Sequence, residues 1–432
     1  MSSRSIAVVG GGIAGVGAAA MLARAGYREV TVFERAERVG GVWQHNTYPG
    51  AACDVPSHLY EYSFAPNPRW SRRYAPQPEI QEYIEDVARS HGVLNRIRTG
   101  TEVHSARWRH DVDIAGRRVA VIGTGCSAIQ IVPAIRPEVA HVDVYQRSPG
   151  WTIPKMDFAY KERTKRLFER FPILKKLDRA AVFWFGEVAA LGLTGKRWLL
   201  PPFRALARWN INRAIEDPEL RAKVTPRDEL GCKRIMLTDD WYPALTEPNV
   251  GLVTEPIERI VPGGVRTADG AERPADVLVL ATGFATHAFV APLEITGEGG
   301  RTLAEEWGEN PRAYLGASVP GFPNMFLLYG PNTNGGTGSV IYTIEAAIEH
   351  VISALRELDR ADARRIEVRR EAAETFDREL RDKLADTVWH SGCKNWYVDE
   401  HGNDPNQWPW RYSTYRRRTA ELEPDAYELT SA

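Results

Sequence analysis

The sequence is poor in cysteine and has no excess of either sign of charge. Its four cysteines among 432 residues include no C-x-x-C pair and no Cys/His ligand spacing, so we expect neither a disulfide scaffold nor a metal site. Lys and Arg number 55 against 56 Asp and Glu, a balance that argues against a nucleic-acid-binding protein. The low cysteine content favours a reducing, cytoplasmic compartment. The cysteines are Cys53, Cys126, Cys232 and Cys393.

Long apolar runs are also missing. Glycines interrupt the apolar N-terminal run, which disfavours a signal peptide. The longest other run, residues 180–193, contains Glu187 and is shorter than the roughly 18 residues that a membrane span needs. No transmembrane segment is therefore predicted. A membrane-surface helix over residues 183–200, with Lys196 and Arg197 beside it, is an alternative, but we expect these residues to pack in the core.

The N-terminus has the pattern of a dinucleotide-binding unit. An apolar run at residues 5–9 predicts a strand, the sequence G-x-G-x-x-G follows at 10–15, and a helix and a second strand are predicted over 13–25 and 29–33. Gly10 permits the tight turn, Gly12 lets a pyrophosphate approach the backbone, and Gly15 lets helix and strand pack closely. Glu34 follows the second strand, where an acid binds the ribose hydroxyls.

A second unit of the same kind begins at residue 117. A predicted strand over 117–122 leads into G-x-G-x-x-A at 123–128, a helix to about residue 135 and a strand over 141–145. Arg147 and Ser148 stand where the first unit has Glu34, and an arginine there favours the 2′-phosphate of NADP. Two such units in one chain predict a flavoprotein with FAD in the first and NADPH in the second.

A motif between the two units is more specific. It fits [A/G]GxWxxxx[F/Y]P[G/M]xxxD and resembles the Baeyer–Villiger monooxygenases, within the class B flavoprotein monooxygenases. Residues 231–234 (GCKR), 281–284 (ATGF) and 330–332 (GPN) are similar to further segments of that family, and residues 389–418 resemble the tail of its hydroxyacetophenone monooxygenase-like branch. The residues that match the motif are Gly41, Trp43, Tyr48, Pro49, Gly50 and Asp54.

The resemblance implies an α/β fold with two Rossmann-like domains, in which the NADPH domain is inserted into the FAD domain. We expect the FAD domain to comprise residues 1–103 and 285–432, the latter with the C-terminal tail. The NADP domain would comprise residues 104–284, with a helical insertion at 150–229. Aromatic residues recur at helical spacing in that insertion, and we expect them to be core. A monomer or a homodimer is expected.

The resemblance also implies the chemistry. NADPH reduces FAD, O2 adds to give a C4a-peroxyflavin, and this attacks a small-molecule ketone to give an ester or lactone. Arg234 is the candidate for the fixed cation beside the reacting oxygen, with Asp54 as its orienting partner. Lys233 would reach the 2′-phosphate beside Arg147. As alternatives, Asp54 caps a helix over residues 57–63, and Lys233 and Arg234 are a solvated pair.

The candidate site residues fall into three sets. The catalytic candidates are Asp54 and Arg234. The FAD candidates are Gly10, Gly12, Ala14, Gly15, Glu34, Gly41, Val42, Trp43, Asp54, Tyr60, Val103 and Val340. The NADP candidates are Gly123, Thr124, Gly125, Ser127, Ala128, Gln130, Arg147, Ser148 and Lys233.

One segment departs from the family pattern. The strand predicted over 96–103 runs almost directly into the second unit, with only residues 101–116 between Gly100 and its first strand, where the family has a β-meander and a linker of roughly sixty more residues. His104 and Trp108 fit a family fingerprint, but Arg98 stands at its phenylalanine position. We interpret this as an internal deletion after Val103, which would expose a face or an edge of the first sheet.

Three other functions remain open. A flavin monooxygenase that oxidises sulfur or nitrogen centres shares most of these motifs. A disulfide reductase shares the two-unit layout but needs a redox cysteine pair, which Cys53 and Cys126 do not form in sequence. A deletion variant could be uncoupled or inactive, acting at most as an NADPH oxidase.

Overall fold

A computed structural model of the chain describes residues 4–99, 108–283, 286–291 and 293–431. The first nucleotide unit is a parallel three-stranded sheet of order β1-β2-β3. The strands predicted over 5–9 and 29–33 and the helix predicted over 13–25 are present within one residue of their expected ends. Of the strand predicted over 96–103, residues 97–99 form a strand and the last four lie outside the described residues. The elements are β1 Ser5–Val9, α1 Ile13–Arg24, β2 Glu29–Glu34, α2 Val42–His45, α3 Gln77–Ser90 and β3 Ile97–Thr99.

One face of this sheet is covered and the other is open. Helix α1 is rich in Ala and Gly and is buried on most sides, because small residues let the helix approach the strands closely. On the opposite face the side chains of Val9 and Phe33 are 66% and 42% exposed. Arg98 lies over the Phe33 ring, 5.8 Å from its centre. The open face is the consequence expected from the short connection after β3.

The second nucleotide unit begins directly after that connection. Strand β4 and strand β5 pair in parallel, as predicted, and the helix between them packs on the sheet through apolar residues. Trp108 packs against the same core. The elements are β4 Arg118–Ile122, α4 Ala128–Ile135 and β5 His141–Tyr145.

A mainly helical segment follows, within the residues 150–229 where a helical insertion is predicted. The sequence predicts helices over residues 160–171, 173–191, 202–216 and 218–223, and the observed helices lie within two residues of these bounds. The prediction that its aromatic residues are core is wrong for several of them, because the long helices pack on the body along one side only. The elements are β6 Thr152–Ile153, α5 Glu162–Arg170, α6 Pro172–Leu193, α7 Pro201–Ala214, α8 Pro218–Val224, β7 Met236–Leu237 and α9 Trp241–Leu245.

The chain then completes the second sheet, whose order is β12-β4-β5-β8 with all pairs parallel. Three further strands form a separate antiparallel sheet of order β11-β10-β9 beside it. The strands are β8 Val250–Val253, β9 Ile257–Val261, β10 Gly264–Thr267, β11 Glu272–Pro274 and β12 Val277–Leu280.

The remaining chain returns to the first unit, where α11 packs against α1. The sequence predicts that residues 325–328 form a strand returning to the first unit, and this prediction is wrong. The Leu327 amide donates to Ala317 O at 2.8 Å, but residues 325–328 form no strand of a sheet. Across the described residues, we find no helix with the length and apolar character to cross a bilayer. The elements are α10 Leu303–Trp307, α11 Val340–Arg360, β13 Arg365–Val368, α12 Arg370–Ala385, α13 Tyr412–Thr419 and β14 Tyr427–Thr430.

Candidate active site

The first glycine loop joins β1 to α1 by a close backbone approach. Gly10 has φ +97°, a conformation that favours glycine, and its amide donates to Phe33 O at 2.8 Å. A Cβ on Gly15 would lie 1.8 Å from Gly10 O, so only glycine fits there. A Cβ on Gly12 would make an ordinary contact, 3.5 Å from Gly41 Cα. Gly15 is therefore required by the fold, whereas Gly12 leaves space at the helix N-terminus.

Glu34 lies over this loop at the end of β2. Its carboxylate accepts hydrogen bonds from the amides of Gly11, at 2.5 Å, and Ala36, at 2.6 Å, and the side chain is buried. Ala14 lies in the first turn of α1, beside the same loop. The helix N-terminus and its free N–H groups suit a phosphate, and the acid suits a ribose.

The motif segment between the two units contacts both of them. Trp43 Nε1 donates to Tyr60 Oη at 3.0 Å, and Val42, in the same short helix, is 61% exposed. Tyr48 Oη donates to Gln130 Oε1 at 3.0 Å, across to α4 of the second unit. A Cβ on Gly50 would lie 2.5 Å from Gln130 O, so the turn packs directly on that helix. The motif therefore joins the two nucleotide units.

The second glycine loop repeats the geometry of the first. Gly123 has φ +115°, and a Cβ there would lie 2.3 Å from Ala281 O on the neighbouring chain segment. A Cβ on Gly125 would meet no atom within 4 Å, which leaves open space before α4. Ser127 and Ala128 begin that helix. The loop thus presents a helix N-terminus to an open cleft, as a pyrophosphate requires.

The structure brings Ser148 and Lys233 together beside this loop. Lys233 Nζ donates to Ser148 Oγ at 3.1 Å and forms an ion pair of 2.6 Å with Asp228. Thr124 Oγ1 donates to Ser148 O at 3.5 Å. Arg147 follows β5 and is exposed. Two cations and a hydroxyl at one strand end suit a phosphate group. Asp228 is a partner of Lys233 that the motifs did not indicate.

Asp54 and Arg234, 180 residues apart in sequence, form a hydrogen-bonded ion pair. About a third of each side chain is exposed, so the pair lies at a surface that solvent and substrate can reach. Burial acts to raise the pKa of Asp54, but the charge and hydrogen bond of Arg234 outweigh it, and the pKa lies below its usual value. Asp54 in turn raises the pKa of Arg234 well above its usual value. Both groups are therefore charged at neutral pH.

Other groups around Arg234 were not predicted as site residues. Tyr397, from the C-terminal tail, and Cys126, from the second glycine loop, both interact electrostatically with the guanidinium. Tyr329 is near enough for the Arg234 charge to act on it. Burial raises the pKa of Cys126, so this thiol is neutral. Only the repeated Tyr and Trp of the tail signalled in sequence that this segment reaches the site.

The structure also contains a disulfide between Cys232 and Cys393, with Cα atoms 6.3 Å apart. The expectation that cysteine pairing is absent is wrong for these two residues. Their separation of 161 positions hid the pair in sequence, since no local spacing marks it. The bond ties the segment of Lys233 and Arg234 to the C-terminal tail. Cys53 and Cys126 are free thiols.

Two remaining FAD candidates lie elsewhere. Val340 begins α11, where Ser339 Oγ accepts from the Ile341 amide at 3.3 Å and caps the helix. Val103 lies outside the described residues, as does His104.

Among the described residues no group of His, Cys, Asp and Glu has the arrangement of a metal site. Asp54 caps no helix, since residues 57–63 form turns.

Comparison with known proteins places these features in context. Residues 8–75 match the model of a family described as an NAD(P)-binding Rossmann-like domain. A Baeyer–Villiger monooxygenase of Pseudomonas aeruginosa is 36% identical, over 99% of this chain and 91% of its own length. One of Streptomyces coelicolor is also 36% identical, over 98% and 92%. The Pseudomonas alignment spans 481 positions, more than the 432 residues here, so the relative has residues that this chain lacks.

Further matches concern cofactors and fold. An FAD-binding monooxygenase of Aspergillus niger is 32% identical over 97% of this chain and 80% of its own. The solved structure of an oxidised steroid monooxygenase bound to NADP superposes with a TM-score of 0.86 and 30% identity, covering 99% of both chains. The fold of the chain is that of these two-domain enzymes.

Proposed function

Since the chain belongs to the Baeyer–Villiger and flavin monooxygenase family, we propose that it inserts one oxygen atom of O2 beside the carbonyl of a small ketone to give an ester or lactone. The chain is an NADPH-dependent flavin monooxygenase that uses FAD. When bound, NADPH would supply a hydride to FAD, and the reduced FAD would supply the electrons that activate O2.

Both glycine loops fit their cofactors. In the first, the space beside Gly12 and the carboxylate of Glu34 suit the pyrophosphate and ribose of FAD. In the second, the open space at Gly125 suits the pyrophosphate of NADPH. Lys233 and Ser148 lie within hydrogen-bonding distance of each other at the strand end, where the 2′-phosphate would bind beside Arg147.

The ion pair of Asp54 and Arg234 carries the proposal. A guanidinium held charged in a partly enclosed site stabilises negative charge on a reacting oxygen and on the oxyanion that forms when a carbonyl is attacked. Asp54 fixes the orientation of Arg234 through a charge-assisted hydrogen bond. Oxidation of sulfur or nitrogen centres needs no such oxyanion stabilisation, so this pair favours the ketone reaction.

The test is a product assay. The purified chain, saturated with FAD and NADPH, is given a panel of linear, cyclic and aryl ketones under ¹⁸O2, with a thioether and a tertiary amine as competing substrates. Ester or lactone carrying one ¹⁸O supports the proposal. Labelled sulfoxide or N-oxide with no ester from any ketone would favour the heteroatom-oxidising alternative instead.

We expect Gly12→Ala to remove FAD without unfolding the protein. The added methyl meets only an ordinary contact in the protein, but it occupies space that the pyrophosphate needs. The flavin absorbance per protein should fall at least tenfold, while far-UV circular dichroism is unchanged. Gly15→Ala is the contrasting variant, because its methyl overlaps Gly10 O and should destabilise the fold itself. Full flavin content in Gly12→Ala would refute this placement.

Arg147→Ala should weaken the preference for NADPH over NADH. Loss of one charge-assisted phosphate contact costs about 1.5–3 kcal/mol, or roughly ten- to a hundredfold in affinity. The ratio of kcat/KM for the two nucleotides is the measurement. Arg118→Ala is the matched control, since Arg118 is an exposed arginine at the opposite end of the same sheet. An unchanged ratio in Arg147→Ala would show that Arg147 does not bind the phosphate.

A further inference from the structure

The helical insertion has an exposed aromatic surface that the oxygenation chemistry does not use. Trp184 and Phe185 in α6 are 56% and 61% exposed. Trp198, in the short turn between α6 and α7, is 73% exposed, and Trp209 in α7 is 52% exposed. We call these four residues the aromatic surface. Single exposed apolar residues are common, but four large rings on one helical hairpin are not.

The aromatic surface continues along α6 at helical spacing. Ile173, Leu177 and Val188 are exposed and lie on the face that Trp184 occupies, because residues three, four or seven apart share a helix face. The ring of Phe185 lies 5.8 Å from that of Phe203, in the first turn of α7. Exposed Phe185 on α6 therefore contacts α7 through the ring of Phe203, which is itself half-buried.

The opposite face of α6 is held firmly by the body of the protein. Glu187, which is buried, accepts hydrogen bonds from the amides of Tyr412, at 2.8 Å, and Ser413, at 3.2 Å. Lys175 forms an ion pair of 2.9 Å with Glu61, and Phe183 packs against Tyr342. The aromatic surface is therefore not exposed by a detached helix. It is presented by a helix whose other side is fixed.

The chain segment that carries most of the aromatic surface has charge of one sign in sequence. Residues 188–215 contain five Lys and Arg and no Asp or Glu, in a chain whose net charge is −1. Lys196, Arg208 and Arg213 are exposed, and Arg213 lies 4.6 Å above the Trp209 ring. Exposed Trp and Phe beside Lys and Arg is the composition of segments that lie in the interface of an anionic bilayer. Two copies of this surface face to face would instead bring like charges together.

We propose that the α6–α7 hairpin docks the protein on the surface of an anionic lipid bilayer, with the aromatic surface in the headgroup region. Lys196, Arg208 and Arg213 would contact the lipid phosphates. This inference does not depend on the oxygenation reaction, since none of these residues belongs to the candidate site.

The test is flotation of the full-length, FAD-loaded protein with lipid vesicles. We expect binding to vesicles of phosphatidylcholine with about a third phosphatidylglycerol, and much weaker binding to phosphatidylcholine alone. The triple variant Lys196→Gln, Arg208→Gln, Arg213→Gln should bind about a hundredfold more weakly, at about fivefold per charge. The triple variant Trp184→Ser, Trp198→Ser, Trp209→Ser should lose at least tenfold at equal charge.

The control variant carries Arg259→Gln and Ile260→Ser. Both residues are exposed on β9, outside the hairpin, and their loss should leave binding unchanged. Circular dichroism and flavin content confirm that each variant is folded. Failure of the native chain to bind anionic vesicles, or unchanged binding by the tryptophan variant, would overturn the proposal. Concentration-dependent dimerisation in sedimentation velocity that the tryptophan variant abolishes, without vesicle binding, would identify a second copy as the partner instead.

Discussion

Arg234→Ala should nearly abolish ester formation while FAD remains bound and NADPH is still oxidised. Arg234 touches neither glycine loop through a hydrogen bond, so cofactor binding should survive, whereas the positive charge beside the reacting oxygen is lost. Removing one group that stabilises a developing oxyanion typically costs about a hundred- to a thousandfold in rate. The measurement is ester formed per NADPH oxidised, under saturating ketone. Hydrogen peroxide should account for the NADPH that yields no ester.

Two further variants separate charge from geometry. Arg234→Lys keeps the charge but loses the planar fork that bonds Asp54, so it should recover only part of the rate. Asp54→Asn leaves Arg234 charged but less firmly oriented, so it should lose less activity than Arg234→Ala. Because the two residues act as a pair, the double variant should be little worse than Arg234→Ala alone. An Arg234→Ala enzyme with at least half the native yield of ester would exclude the assigned role.

The native chain should hold FAD weakly, and much of the O2 that it reduces should be released as hydrogen peroxide. Val9 and Phe33 expose the sheet face that lies next to the first glycine loop, so water has access where a fuller domain would exclude it. Water in such a site would protonate the activated oxygen, which would then leave as hydrogen peroxide before it could attack a ketone. We expect less than one FAD per chain after gel filtration, and more peroxide than ester per NADPH. Tightly coupled turnover, with one ester per NADPH, would show that the chain closes the site without the absent segment.

A chimera provides the matched comparison. At the junction of Val103 and His104 it would carry whatever residues the Pseudomonas aeruginosa relative has between the positions that align with these two. If the deletion causes the uncoupling, the chimera should gain FAD content and ester yield together. If both chains are equally uncoupled, the cause lies elsewhere in the site.

Local sequence determined the two nucleotide units. The turn at Gly10, the close approach at Gly15 and the acid at Glu34 are requirements of a strand–turn–helix unit, and all lie within about thirty residues of one another. Short apolar runs likewise predict strands over residues 141–145, 250–253, 264–267 and 277–280, and β5, β8, β10 and β12 have these bounds. The family motif pointed to Asp54 and Arg234 separately, through resemblance.

Tertiary structure alone decided how distant segments meet. The bond between Asp54 and Arg234, the packing of Gly50 on α4 and the disulfide of Cys232 with Cys393 each join residues far apart in the chain, and no local pattern encodes such contacts. Periodicity predicted the helices of the insertion but not which side of them is buried. An amphipathic pattern indicates that one face of a helix is apolar. Whether other parts of the protein cover that face depends on the neighbouring elements. For Trp184 and Trp209 none of the described residues covers the ring fully. The sequence offered a membrane-surface helix over residues 183–200 only as the alternative to core packing, and the folded structure decided that these side chains are exposed.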